Sequence, residues 1–83
     1  RPTASDASIT ARVKTAFIDA KDLQTNAFKV VTEAGTVYLM GLVSRREGDR
    51  AAQVASRVAG VQRVVTVFQY IAEEDATRLS QQK

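Results

Sequence analysis

The sequence between Glu33 and Gly60 places the strongest limit on what this chain can fold into. It reads in direct succession as the end of one strand, a tight turn, a second strand and a helix. In the second strand, residues 36–43, both alternating sets of side chains are apolar: Val37, Leu39, Gly41 and Val43 on one face, and Tyr38, Met40 and Leu42 on the other. A small antiparallel sheet usually leaves one face polar. Both faces of this strand must therefore be covered by other parts of the chain or by a partner.

Local signals mark the ends of these elements. Gly35 follows Glu33 and Ala34 in the turn, where a positive φ is easiest for glycine. Ser44 and Glu47 form the S-x-x-E pattern of a capping box, which predicts that a helix begins at Ser44. Gly60 is the expected left-handed C′ residue at the end of that helix.

An earlier segment has the periodicity of an amphipathic helix. Ile9, Val13, Ala16, Phe17 and Ala20 form one apolar stripe, which predicts a helix over residues 6–20 with Ser5 or Asp6 as its N-cap. Ala11, Thr15 and Ile18 face away from this stripe. Ile18 is a large apolar residue between Lys14 and Lys21. Such an arrangement occurs in helices that meet a membrane surface, but a single exposed isoleucine is also common on surfaces without a binding role.

The remaining strands complete an α-β-β-α-β order. Residues 28–32 and 63–71 read as strands one and three, and strand three is apolar on both faces. We predict an α+β fold, an αββαβ two-layer sandwich with a three-stranded mixed sheet and two helices on one face. Strands one and two form a hairpin, and strand three returns parallel to a neighbour after the second helix.

The other face of the predicted sheet, which we call the far face, is left without a cover. It contains seven apolar residues: Val31, Tyr38, Met40, Leu42, Val65, Val67 and Ile71. We expect this face to meet a second domain of the same kind or another copy of the chain.

The folded domain is expected to occupy residues 6–71. Residues 1–5 have the composition of a linker, and residues 72–83 form a polar tail, either a short helix or disordered. No stretch is apolar for the length of a membrane span, and no signal peptide is visible. Because the chain begins at Arg1 rather than Met, we interpret it as an excised domain or a processed product.

The residue types argue against catalysis. The chain has no histidine and no cysteine, which removes the commonest general base, thiol chemistry and the commonest metal ligands. Most of its carboxylates fall at caps, turns or the tail, and no pair is placed to divide acid and base roles. No phosphate-binding loop or nucleophile motif is present. We therefore predict a non-enzyme without cofactor or metal.

The net charge of +3 suits an anionic partner such as lipid head groups or nucleic acid, but a charge of this size equally serves solubility alone. Five aromatic residues are present, of which at least three are expected in the core, so few are left to stack on bases. Arg45, Arg46, Arg50 and Arg57 of the second helix fit a solvated helix face. We therefore predict no nucleic-acid partner.

The pattern formed by several of these residues resembles that of a known family, the BON domain (bacterial OsmY and nodulation domain). The resemblance covers about residues 6–71. It is carried by the pattern Gly35-x-Val37-x-Leu39-x-Gly41-x-Val43, the helix start after it, Ala59-Gly60-Val61 and Val64. Longer runs, which include Ile9-Thr10, Leu39-Met40-Gly41-Leu42-Val43, Arg46-Glu47 and Ala55-Ser56-Arg57-Val58, are most similar to the second domain of the double-BON outer-membrane lipoproteins of the DolP type.

The resemblance implies a function. BON domains are small non-enzymatic αββαβ modules, often paired in tandem, of the periplasm and membranes of Gram-negative bacteria. They are associated with phospholipid binding and with envelope integrity under stress. In the lipoprotein group the acylated N-terminus would lie upstream of Arg1, and the first helix of the second domain is implicated in recognising anionic phospholipid.

By position, the resemblance implies a lipid-binding surface on the first helix. It would comprise Ser8, Ala11, Lys14, Thr15, Ile18 and Lys21. The two lysines would pair with phosphate oxygens, while Ile18 and Ala11 enter the acyl boundary. Ser8 stands where an interfacial aromatic would be a natural anchor, so attachment is expected to be shallow and dependent on charge. The alternative is a protein-interaction or self-association module that uses the far face.

Overall fold

The computed structural model describes residues 5–20, 23, 28–72 and 74–75. The expected linker (residues 1–5) and polar tail (residues 72–83) therefore lie almost entirely outside the described residues, and so does Lys21.

Two helices cover one face of a three-stranded mixed sheet, so the predicted αββαβ fold is confirmed. The elements are α1 (Asp6–Asp19), β1 (Lys29–Glu33), β2 (Thr36–Val43), α2 (Arg45–Ser56) and β3 (Arg63–Tyr70). The strand order is β1-β2-β3, with β1 antiparallel and β3 parallel to β2. Because β2 is central, β1 and β3 are the two edges of the sheet.

The hydrophobic core lies between the sheet and the helices. The stripe of α1 supplies Ile9, Val13 and Phe17, which are almost fully buried. The facing residues of the sheet and of α2 are Val30, Val37, Leu39, Val43, Ala51 and Ala55. Aromatic rings extend this core towards the end of β3, with centroid distances of 5.1 Å for Phe17–Phe28, 5.8 Å for Phe28–Phe68 and 6.0 Å for Phe68–Tyr70.

The hairpin turn is held by a residue from the start of α1. Glu33 pairs with Thr36, so Ala34 and Gly35 form a two-residue loop, and both have positive φ, 52° and 80°. This is the backbone of a type I′ turn. The Asp6 carboxylate accepts hydrogen bonds from the Ala34 N–H at 2.9 Å and the Gly35 N–H at 3.2 Å. α1 and the hairpin are thereby fixed to each other.

Helix α2 begins after Ser44, with the capping box that the sequence predicts. The Ser44 hydroxyl accepts from the Glu47 N–H at 3.2 Å, and the Glu47 carboxylate accepts from the Ser44 N–H at 3.1 Å. Both residues are buried, so the capping box belongs to the core as well as to the helix terminus.

The end of α2 differs from the prediction. The helix ends at Ser56, because the N–H groups of Arg57 and Val58 donate to carbonyls three residues earlier and tighten the last turn. Gly60 does adopt a positive φ of 96°, but it lies in the following turn, which the Val61 N–H closes on the Val58 carbonyl at 3.2 Å. Gly60 is therefore not the C′ residue of the helix.

Candidate functional site

The outer side of α1 presents the surface that the sequence singles out for lipid binding. Its N-cap is Ser5, whose hydroxyl accepts from the Ser8 N–H at 3.1 Å. Because Ile9, Val13 and Phe17 are buried, residues half a turn away point to solvent. The exposed residues of the predicted set are Ser8, Ala11, Lys14, Thr15 and Ile18. The sixth, Lys21, lies outside the described residues.

Ile18 is the most exposed large apolar side chain among the described residues. It is 64% exposed, whereas the apolar side chains on the opposite side of the helix are almost fully buried. Lys14 precedes it by one helical turn and is also exposed. An aliphatic side chain and an ammonium group are thus adjacent on one solvent-facing surface.

The two flanks of α1 are occupied by contacts within the fold. On the flank towards β1, the Thr10 hydroxyl donates to the Thr32 hydroxyl at 2.7 Å. On the flank towards α2, the Arg12 guanidinium donates to the Ala59 carbonyl at 3.2 Å. These contacts fix the rotation of α1 about its axis, and with it the direction in which Ile18 points.

The far face carries a second exposed apolar surface. Val31, Leu42 and Val67 are exposed, while Tyr38, Met40, Val65 and Ile71 are half-buried. The strand register aligns Val31, Tyr38 and Val65 in one row across the sheet, and Met40 with Val67 in the next. No helix within the described residues covers this face. It therefore forms an apolar sheet surface on the side opposite α1, bordered by the exposed Lys29 beside Met40 and by Gln69 beside Leu42.

One exposed pair was not identified from the sequence. Tyr70, which alternation places on the helix side of β3, is 41% exposed because it is the last residue of its strand. The Arg45 guanidinium lies 4.4 Å from the centre of its ring, a cation–π contact. Of the remaining arginines of α2, Arg50 donates to the Gln53 side-chain oxygen at 3.2 Å.

The described residues offer no other candidate chemistry. Within residues 5–20, 23, 28–72 and 74–75, no group of three or more carboxylates could hold a metal ion. Over the same part of the chain, every buried side-chain nitrogen or oxygen has a hydrogen-bond partner. None of the helices that the structure describes has the length and apolar character needed to cross a bilayer.

Comparisons with known proteins match most of the chain. The family model described as "BON domain" matches residues 5–72. The chain is 37% identical over 67 residues to the "Outer membrane lipoprotein DolP" of Haemophilus influenzae, and 36% identical over 66 residues to the "21 kDa hemolysin" of Actinobacillus pleuropneumoniae. Each match covers 80% of this chain and 34% of the relative, so the chain spans about a third of the length of these curated relatives.

A solved structure shares the fold. It comes from structural studies of CdsD, described as a structural protein of the Type III secretion system of Chlamydia trachomatis. The TM-score is 0.64 at 16% identity, and the match covers 94% of this chain and 38% of the other. At that identity the likeness concerns the fold alone.

Proposed function

Because this chain belongs to the BON domain family, whose model matches residues 5–72, we propose that it is a non-enzymatic module that binds anionic phospholipid through the outer side of α1. The DolP relative is named as an outer-membrane lipoprotein, which supports a periplasmic, outer-membrane-associated location. In that location the module would contribute to envelope integrity, including under stress.

The observation that carries this proposal is the exposure of Ile18 next to Lys14. An isoleucine can enter the boundary between head groups and acyl chains while a neighbouring ammonium group remains at the phosphates. The contacts on the flanks of α1 hold this side of the helix towards solvent, so Lys14 and Ile18 are accessible to lipid.

Two polar side chains of this surface already make hydrogen bonds within the chain. The Thr15 hydroxyl donates to the Ala11 carbonyl at 2.9 Å, within the helix. The Ser8 hydroxyl accepts from the Ser5 hydroxyl at 3.1 Å. Covering an unpaired polar group costs about 1–3 kcal/mol, and these internal bonds reduce that cost.

The expected interaction is weak and dependent on salt. Burying one isoleucine side chain contributes about 1.5–3 kcal/mol, and each lysine near an anionic leaflet contributes about 1 kcal/mol. Contributions of this size support reversible binding, and stable attachment requires a second anchor such as an acyl chain. We therefore expect binding at low ionic strength that decreases as salt rises.

Vesicle flotation tests this proposal directly. The chain should float with vesicles that contain phosphatidylglycerol and remain at the bottom with vesicles of phosphatidylcholine alone. Lys14→Glu should lower flotation, and Lys14→Glu together with Lys21→Glu should lower it further. Lys29→Glu is the matched control, because it makes the same charge change at an exposed position on β1. Equal losses in Lys14→Glu and Lys29→Glu would show that the outer side of α1 does not determine binding.

The exposed far face supports a second candidate function, docking of another BON-like domain. The matched relatives are about three times as long as the region they share with this chain, so they have room for a further domain of this size. An apolar sheet face suits another sheet face, since the two can stack about 10 Å apart. Lipid binding by α1 and domain docking by the far face are compatible, because the two surfaces lie on opposite sides of the sheet.

A further inference from the structure

The exposed edge of β3 has backbone groups available for another strand. β3 lies at one end of the strand order, and no strand within the described residues pairs with its outer side. The Ile71 N–H donates to the Val43 carbonyl at 2.9 Å, and Tyr70 is the register partner of Val43. Since successive residues of a strand direct their N–H and C=O groups to opposite sides, the odd-numbered residues of β3 bond to β2. Val64, Thr66 and Phe68 therefore direct theirs outward.

This edge lacks the features that normally prevent pairing. Charged residues, proline and bulges on an edge strand block the addition of another strand. Residues 64–68 have none of these: the run is Val-Val-Thr-Val-Phe. β3 spans eight residues with one charge, Arg63 at its start, whereas the other edge, β1, spans five and carries Lys29 and Glu33 at its two ends. β3 therefore offers the longer uncharged run for pairing.

The sequence of β3 is complementary to itself in the antiparallel direction. With a two-fold axis at Thr66, Thr66 faces Thr66, Val64 faces Phe68, Val65 faces Val67 and Arg63 faces Gln69. No two like charges are opposite each other, and the apolar pairs combine β-branched and aromatic side chains, which stabilise antiparallel pairs. In this register, the three residues whose backbone N–H and C=O groups point away from β2 lie opposite one another, Thr66 to Thr66 and Val64 to Phe68. Each of them can therefore exchange two hydrogen bonds with the second copy.

The side of the edge nearest α2 leaves room for such a partner. A groove of about 550 Å³ lies between α2 and the start of β3, and Ala52, Gln53, Ser56 and Thr66 are among its lining residues. Two of the three helix residues are small, and Thr66 is exposed although it lies on the helix side of the sheet. On the far face, Val67 is 58% exposed and would be covered by the second copy.

We propose that β3 is a self-association edge, at which two copies of this chain join their sheets in an antiparallel arrangement about a two-fold axis at Thr66. The product is a continuous six-stranded sheet, since each copy contributes three strands. The axis is perpendicular to the sheet, so the helices of both copies lie on the same side. Both α1 surfaces then face one way, and a dimer can present two of them to one membrane.

Sedimentation over a range from micromolar to near-millimolar concentration tests the association. The unmodified chain should show a concentration-dependent dimer. Thr66→Lys should abolish it, because two lysines would meet at the axis, and should leave the monomer folded because Thr66 is exposed. Thr15→Lys makes the same change on α1 and should leave the dimer unchanged. A chain that stays monomeric throughout, or a dimer that persists in Thr66→Lys, would overturn the proposal.

Disulfide cross-linking tests the register, since the chain has no cysteine of its own. Val65 and Val67 of opposite copies form a non-hydrogen-bonded pair with a Cα separation of about 4.5 Å, which is within disulfide range. A mixture of Val65→Cys and Val67→Cys chains should form mixed disulfides faster than either variant alone forms its own. Equal rates in all three samples would contradict this register.

Discussion

Gly48 of α2 lies so close to Phe68 of β3 that a larger residue would fit only if the ring shifted. A Cβ atom placed on Gly48 would be 2.9 Å from Phe68 Cδ2 and 3.0 Å from Tyr70 Cε1. The contact between this helix and the sheet therefore depends on a glycine in the helix itself. The distance between α2 and β3 is therefore set by the contact of the Gly48 backbone with the rings of Phe68 and Tyr70.

Gly48→Ala tests this contact, because two effects predict opposite results. Helix propensity alone would stabilise the variant by about 0.5–1 kcal/mol. Collision with two rings should destabilise it by about 1–3 kcal/mol. We expect the collision to dominate, with a lower free energy of unfolding in urea. Gln53→Ala is the control at an exposed position of α2 and should change stability little; stabilisation by Gly48→Ala would mean that the rings are free to move.

Ala34→Asn should stabilise the protein. Ala34 has a φ of 52°, a conformation that costs an L-residue with a Cβ about 1–2 kcal/mol. Asparagine adopts it more readily, and Asn-Gly is the favoured pair in type I′ turns. We expect the free energy of unfolding to rise by about 0.5–1 kcal/mol, measured by urea denaturation. Ala59→Asn, at another exposed alanine, should give no such gain. A gain of equal size in Ala59→Asn would show that the hairpin turn is not the cause of the stabilisation in Ala34→Asn.

Asp6→Ala should destabilise the fold by about 1–3 kcal/mol, because two backbone N–H groups of the turn lose a charged acceptor. Asp6→Asn should recover part of this loss, since the amide oxygen can still accept a hydrogen bond. Asp19→Ala is the control: this exposed carboxylate lies at the C-terminal end of α1, where a negative charge is slightly unfavourable. If both alanine variants had the same stability in thermal denaturation, the Asp6 contact with the turn would contribute nothing.

Ile18→Ser should separate binding from stability. Ile18 is exposed, so we expect a change in the free energy of unfolding within about 0.5 kcal/mol and a clear loss of flotation with anionic vesicles. Leu42→Ser, at an aliphatic residue of the far face that is 45% exposed, should retain flotation. The reverse pattern would place the lipid-binding surface on the far face.

Met40→Glu should disrupt contacts of the far face without unfolding the chain. Met40 is half-buried on that face, beside Val67 in the register, so a carboxylate there can reach water in the isolated chain but not beneath a second domain. Circular dichroism should show an intact fold. Self-association through the β3 edge should persist in this variant, whereas association through the far face should be lost. Unfolding would mean that the far face belongs to the core.

Local patterns were sufficient to predict the order of the elements and the faces of α1 and β2, although not where α2 ends. The period-2 alternation of β2 separates Leu39, which is buried, from Leu42, which is exposed. The spacing of apolar residues in α1 likewise predicts which side of the helix carries Ile18. The Ser44–Glu47 capping box is formed by residues three apart, so its geometry follows from their separation alone.

Contacts between distant residues were decided only by the tertiary structure. Asp6 accepts from the N–H of Ala34, 28 residues away, and no local pattern connects them. Gly48 and Phe68 meet only because α2 is placed over β3. The order of the strands makes β3 an edge and leaves Thr66 exposed on the helix side, where alternation alone would bury it. The periodicity of a segment fixes which side chains share a face, because that depends on backbone geometry within the segment. Which element lies opposite each face depends on how all the elements pack together, and no single segment contains that information.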